Sequence, residues 1–190
     1  TWRSTKKGNK VSQYYIENII NLLKNEILIN CLIKHNMTLY FNLHHQTLKY
    51  KNKFDNIINL KHINYIEEND IGDCLSKADL IITDYSSIIF DIIYRRKPYI
   101  IYIPDIYDPY IKQNYTKTTY DVIKNFQLNK FKFENIYFDI DKAVNKIKYY
   151  IESEFKLEKN LKRFYDKFNF KTGPIIDEFI NYLLRIDTKL

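Results

Sequence analysis

The sequence predicts an α/β protein built on an open parallel sheet with helices on both faces. Three observations lead there. Short apolar runs alternate along the chain with longer amphipathic stretches. The runs are near-continuous rather than alternating in polarity, as in strands buried on two sides. Polar and basic residues follow directly where several runs end, and open α/β sheets bind their ligands beyond the carboxyl ends of the strands.

Each element follows from local pattern. Tyr15, Ile19, Ile20, Leu23, Ile27, Leu28, Cys31 and Leu32 recur at helical spacing, so 12–35 is expected to be one amphipathic helix. The apolar run at 37–43 reads as a strand that stops at His44-His45, and a Lys- and Asn-rich polar stretch follows. A short strand is expected at 63–66, then a helix at 70–77 that Asp70 can cap. Strand 79–83 and helix 86–95 come next, then Pro98 opens strand 99–103, which runs into Pro104-Asp105. The segment 105–134 is less regular and reads as a long loop with some helix; 135–139 is a last strand, and helices are expected at 141–152, 157–169 and 174–187.

Bulk properties narrow the class. With 190 residues, three Gly and four Pro, the chain reads as a single domain over 1–190, or at most one domain with an appendage, its C-terminal helices at about 141–187; the open parallel sheet expected above makes it Rossmann-like. Cys31 and Cys74 fall in predicted helices without metal-ligand spacing, so reduced thiols are expected and no metal or other cofactor. No apolar stretch reaches the ~20 residues that span a bilayer. No signal peptide is recognisable. The expected location is therefore cytoplasmic, with peripheral attachment to the inner face of the cell membrane as an extension. The net charge of +7 accompanies an abundance of Lys, Asn, Ile and Tyr spread evenly along the chain. A/T-rich coding produces those four together, so nucleic acid is not an expected partner, and an anionic partner is a secondary reading. The chain opens on Thr1-Trp2-Arg3 rather than methionine, and is expected to begin partway through a longer protein.

The segment Ala78-Asp79-Leu80-Ile81-Ile82-Thr83-Asp84-Tyr85-Ser86-Ser87 carries most of the chemical signal. A buried strand ends at Thr83-Asp84, a tight turn follows, and Ser86-Ser87 open a helix. Helix N-termini offer unpaired N–H groups and partial positive charge, so the simplest ligand is a phosphate. The plainer reading is that serine there is only a cap.

These residues resemble the CDP-glycerol glycerophosphotransferase family of teichoic-acid and capsule polymerases and primases. Thr1-Trp2-Arg3 is similar to a block after the first strand of that family's C-terminal domain, and Leu43-His44 to one after its second strand. The segment 78–87, continuing through Phe90-Asp91 to Lys97-Pro98, resembles the family's hallmark stretch. His45 departs from the family's usual proline and Asn42 from a frequent basic residue; the Arg-Gly-aromatic and Pro-Gly-Pro blocks are not found in 106–134. The resemblance implies the C-terminal half of a GT-B-type transferase that holds a CDP-activated polyol, glycerol or ribitol. It would transfer polyol-phosphate to a polymer or lipid-linked acceptor of cell wall or capsule and release CMP. The general base would come from an N-terminal domain of the same chain, so this part alone would bind donor without turnover; a membrane surface is a further expected partner.

On that resemblance, Ser86, Ser87 and Arg3 would bind the donor phosphates, and His44, the expected catalytic residue, would contact the diphosphate, either donating a hydrogen bond or stabilising the departing CMP. Thr83, Asp84 and Asp105 are expected at the nucleotide or polyol. Asp84 also reads as a loop-fixing acid, because a carboxylate beside a diphosphate repels it unless paired. Asp91 is expected either to support the N-terminal turn of its helix or to pair with Arg95, one turn on. Lys6 and Lys7 read equally as phosphate partners and as solvated charges. The competing classes are a GT-B glycosyltransferase using a CMP- or UDP-activated sugar, and a non-catalytic anion-binding module. The first shares the phosphate grip, and binding of UDP in place of cytidine nucleotides would point to it; salt-dependent nucleic-acid binding would mark the second.

Overall fold

The computed structural model describes residues 13–58, 60–84, 86, 88–105 and 133–167. In chain order these form α1 (Gln13–Leu23), α2 (Glu26–Lys34), β1 (Leu39–Phe41), a 3₁₀ helix (His45–Phe54), α3 (Asp55–Ile58) and β2 (Ile63–Tyr65). A short 3₁₀ turn (Glu68–Asp70), α4 (Ile71–Lys77), β3 (Ile81–Thr83), α5 (Ile88–Tyr94) and β4 (Tyr99–Tyr102) follow, then β5 (Ile136–Tyr137), α6 (Ile140–Glu152) and α7 (Lys159–Lys167). The result is a mixed α/β architecture in which every described strand pair is parallel.

The described strands form two hydrogen-bonded sheets, against an expectation of one. β1 pairs with β2, and β3, β4 and β5 pair in that order. Residue alternation along β4 explains how the larger sheet is covered on both faces. Ile101 and Ile103 point into a core with Ile89, Ile92 and Ile93 of α5 and Leu161, Phe164 and Tyr165 of α7. Ile100 and Tyr102 point the other way, into Leu22, Leu28, Leu32 and the Val144–Ile151 face of α6. All four residues of β4 are buried, which is why its sequence is apolar without interruption. The smaller sheet has its own core, in which Phe41 and Ile63 meet Ile16, Leu23, Leu43, Phe54 and Ile57.

The single helix expected at 12–35 is two helices. Asn25 adopts extended backbone and its Oδ1 accepts from the Leu28 N–H at 3.2 Å, an N-cap that starts α2 with Glu26 in its first turn. The apolar period runs across the break because both helices lay their apolar faces on the same two cores. The polar stretch after His44 is helical, anchored by fully buried Phe54 and Ile57. Asp70 does not cap α4 with its side chain. It ends the preceding 3₁₀ turn in right-handed helical backbone (φ −92°, ψ −5°), not the extended conformation a capping side chain needs. The expected helix at 174–187 and nearly all of the loop 105–134 lie outside the described residues. Among the described residues no helix is long and apolar enough to cross a membrane.

A polar network fastens the C-terminal helices. Glu158, just before α7, accepts from Lys146 Nζ at 2.7 Å and from Tyr150 Oη at 2.9 Å, and Asn135 Nδ2 donates to the same Tyr150 oxygen at 2.8 Å. Burial pushes the Glu158 carboxyl upward, but the bonds from Lys146 and Tyr150 outweigh it and hold the group below its ordinary value.

Candidate functional site

The described part of the hallmark stretch has a strand before Asp84 and a helix after Ser86. β3 ends at Thr83, Asp84 follows, and α5 begins at Ile88. Ser86 opens the helix in the manner of a cap: its carbonyl accepts from the Ile89 N–H at 3.2 Å, and its hydroxyl lies 3.5 Å from the Ile88 nitrogen, the outer limit of a hydrogen bond. At the other end Arg96 takes left-handed backbone (φ 53°) and closes α5 as the Lys97 N–H reaches back to the Ile92 carbonyl. The Arg95 N–H donates to the Asp91 carbonyl, so the described link between these two residues runs through the main chain.

Lys97 is structural. Its ammonium donates to the carbonyls of Ser76 (2.8 Å) and Ala78 (2.5 Å), at the C-terminal end of α4, where carbonyls otherwise lack partners. Tyr165 Oη of α7 donates in turn to the Lys97 carbonyl. Nothing in the sequence pattern marks this role.

Two acids sit at adjacent strand ends. β3 and β4 are in register with Thr83 opposite Ile101, so Asp84 and Asp105 both lie just past the carboxyl edge of the larger sheet. Asp84 is 6% exposed and Asp105 fully buried, unusual for carboxylates. Tyr15 Oη of α1 donates to Asp84 Oδ2 at 3.3 Å, across 69 positions of sequence. The Tyr102 hydroxyl, at the end of β4, is buried without a hydrogen-bond partner among the described residues. Burial drives its pKa upward, with the nearby charges of Asp139 and Asp105 adding to the effect, so this phenol stays neutral.

His44 follows β1. Its carbonyl accepts both the N–H and the Oγ1 hydrogen of Thr47, each at 2.7 Å, which starts the 3₁₀ helix and fixes the main chain at His44. Thr47 is 2% exposed, so this turn is built into the core of the smaller sheet. Asn42 Nδ2 donates to the Ile66 carbonyl at 2.8 Å and ties the ends of β1 and β2 together.

His44, Thr83, Asp84 and Asp105 thus lie at or just beyond the carboxyl ends of β1, β3 and β4, and Ser86 two residues after Asp84. Arg3, Lys6, Lys7 and Ser87 lie outside the described residues. Among the described residues no group of three or more His, Cys, Asp or Glu is placed to hold a metal ion. Both cysteines are free thiols, Cys31 buried and Cys74 half-buried.

The family model for CDP-glycerol:poly(glycerophosphate) glycerophosphotransferase matches residues 1–173. The chain belongs to this family. It is also 31% identical over 104 residues to a teichoic acid poly(glycerol phosphate) polymerase of Bacillus spizizenii, an alignment covering 55% of this chain and 24% of that protein. The matched part is therefore about a quarter of the relative's length. No solved structure matches the chain. Membership places the chain in a family of transferases, and the relative is one named for teichoic acid polymerisation. The family match also places every candidate residue, from Arg3 to Asp105, within the matched span.

Proposed function

We propose that this chain is the donor-binding half of a GT-B-type polyol-phosphate transferase. In this reading it holds a CDP-activated glycerol or ribitol for transfer to a cell-wall or capsule polymer. The observation that carries the reading is coincidence: the family match contains the whole candidate set, and its described members gather at carboxyl ends of parallel strands.

In this reading the hydroxyls and main-chain N–H groups at Ser86 and Ser87, with the Arg3 guanidinium, hold the diphosphate. Asp84 and Asp105 accept hydrogen bonds from ribose or polyol hydroxyls, a use that suits buried acids better than direct contact with phosphate. Thr83 adds a hydroxyl at the strand end. An acceptor hydroxyl attacks the phosphorus that carries the polyol, the bond to the CMP oxygen breaks, and His44 stabilises the charge collecting on CMP. Most of the acceleration comes from holding the two reactants in line. The base that takes the acceptor's proton belongs to a facing half, so this chain binds donor without turning it over. The enzyme works at the inner face of the cell membrane, where lipid-linked acceptors are available.

Calorimetric titration with CDP-glycerol, CDP-ribitol, CMP and UDP tests this. The expected result is saturable binding of the cytidine ligands, tighter for one CDP-polyol than for CMP, and little heat with UDP. Preferential binding of UDP would replace the reading with transfer from a UDP-activated sugar.

A further inference from the structure

The two sheets share no hydrogen-bonded strand pair among the described residues, so side chains must set the spacing between the end of β1 and the end of β3. Tyr15 touches both. Its ring packs on the core that contains Phe41 and Leu43, the residues leading into His44. Its hydroxyl donates to Asp84 Oδ2 at 3.3 Å. Ile19, one turn further along α1, packs on cores of both sheets but carries no polar group toward the strand ends.

We propose that Tyr15 is a positioning residue: its hydroxyl ties Asp84 to α1, the helix that shares a core with Phe41 and Leu43, and so fixes the ends of β1 and β3 relative to each other. This rests on the donor-site reading for its functional consequence, though not for the tie itself. The chemistry suits the task. A carboxyl group that is 6% exposed needs hydrogen-bond partners within the protein. A lysine would cancel its charge, whereas a phenol orients it and leaves it able to accept from ligand hydroxyls. The 3.3 Å separation is long for an O–H···O bond, so the expected effect is modest.

Two measurements on the 190-residue chain test the tie. In hydrogen exchange, Tyr15→Phe keeps the ring and its packing, and Tyr40→Phe, at a residue 56% exposed on β1, serves as control. Tyr15→Phe should speed amide exchange around 42–44 and 82–86 while Tyr40→Phe leaves both alone; unchanged exchange in Tyr15→Phe overturns the proposal. In calorimetry with CDP-glycerol, Tyr15→Phe should weaken binding about three- to tenfold, the range expected for one hydrogen bond. The same change made in an Asp84→Asn background should then have no further effect. Equal losses in both backgrounds would mean that Tyr15 does not act through Asp84. A wild-type chain that binds no cytidine nucleotide would sink the donor reading and Tyr15's part in it, and hydrogen exchange alone would then decide whether the tie exists.

Discussion

Lys97 Nζ donates to the Ala78 carbonyl, so the last and first parts of the hallmark stretch are joined directly by one side chain. Between them lie β3, the Asp84 turn and α5, closed into a loop by an ammonium that also satisfies the Ser76 carbonyl. The stretch is therefore a closed structural unit as well as a run of site candidates.

Replacing Lys97 with methionine keeps the aliphatic stem and removes both bonds. Charge-assisted hydrogen bonds of this kind contribute about 1.5–3 kcal/mol, and the carbonyls at the end of α4 can recover some of that from water. A loss of about 1–3 kcal/mol in urea unfolding is expected. Lys97→Arg, which cannot place one nitrogen between two carbonyls in the same way, should recover only part of it.

Glu158 gives the fold an acid-sensitive joint. Its carboxyl is held below its ordinary value of 4.5 in the folded chain. The sign follows from linkage: the folded form binds the proton less readily than the unfolded form, so stability is gained as pH rises. The contribution is complete above the unfolded value and is lost as pH falls through the lower folded value. Glu158→Gln should therefore cost about 1–2 kcal/mol near pH 7, where the Lys146 pair is intact. The gap to wild type should narrow as unfolding is repeated toward pH 3. A gap of constant size would show that the charge on Glu158 does not matter.

Gly72 offers an opposite test. It lies inside α4, no heavy atom outside its own helical turn lies within 4 Å of where a Cβ would be, and its backbone is not left-handed. Alanine there removes freedom from the unfolded chain at no steric cost, so Gly72→Ala should stabilise by about 0.4–1 kcal/mol. Thermal unfolding would register this as a rise in melting temperature.

Local pattern carried much of the fold. The strands at 79–83 and 99–103 were legible because burial on two faces favours uninterrupted apolar runs, and β3 and β4 lie inside those spans; β2 lies inside 63–66, although its Asn64 is exposed. The amphipathic faces of α5, α6 and α7 were legible for the corresponding reason at helical spacing. The break at Asn25 carried a sequence signal, a capping residue followed by an acid, but the continuous apolar period outweighed it. Division into two sheets was not legible, because pairing is decided between segments far apart in sequence. Of the site, the positions of His44, Thr83, Asp84, Ser86 and Asp105 after strands could be read directly. Tyr15 could not, since a tyrosine on an amphipathic helix looks like any other core residue until the partner 69 positions away is known. The same holds for Lys97, whose partners are main-chain carbonyls without side-chain identity.

The most direct test of the central claim is an NMR titration of the ¹⁵N-labelled chain with CDP-glycerol, with UDP as the comparison ligand. The account predicts that amide shifts caused by CDP-glycerol concentrate at 42–47, 83–88 and 103–105, the ends of β1, β3 and β4, and that His44→Ala and Ser87→Ala both weaken them. Shifts centred on α6 and α7 instead, or an equal response to UDP, would contradict it.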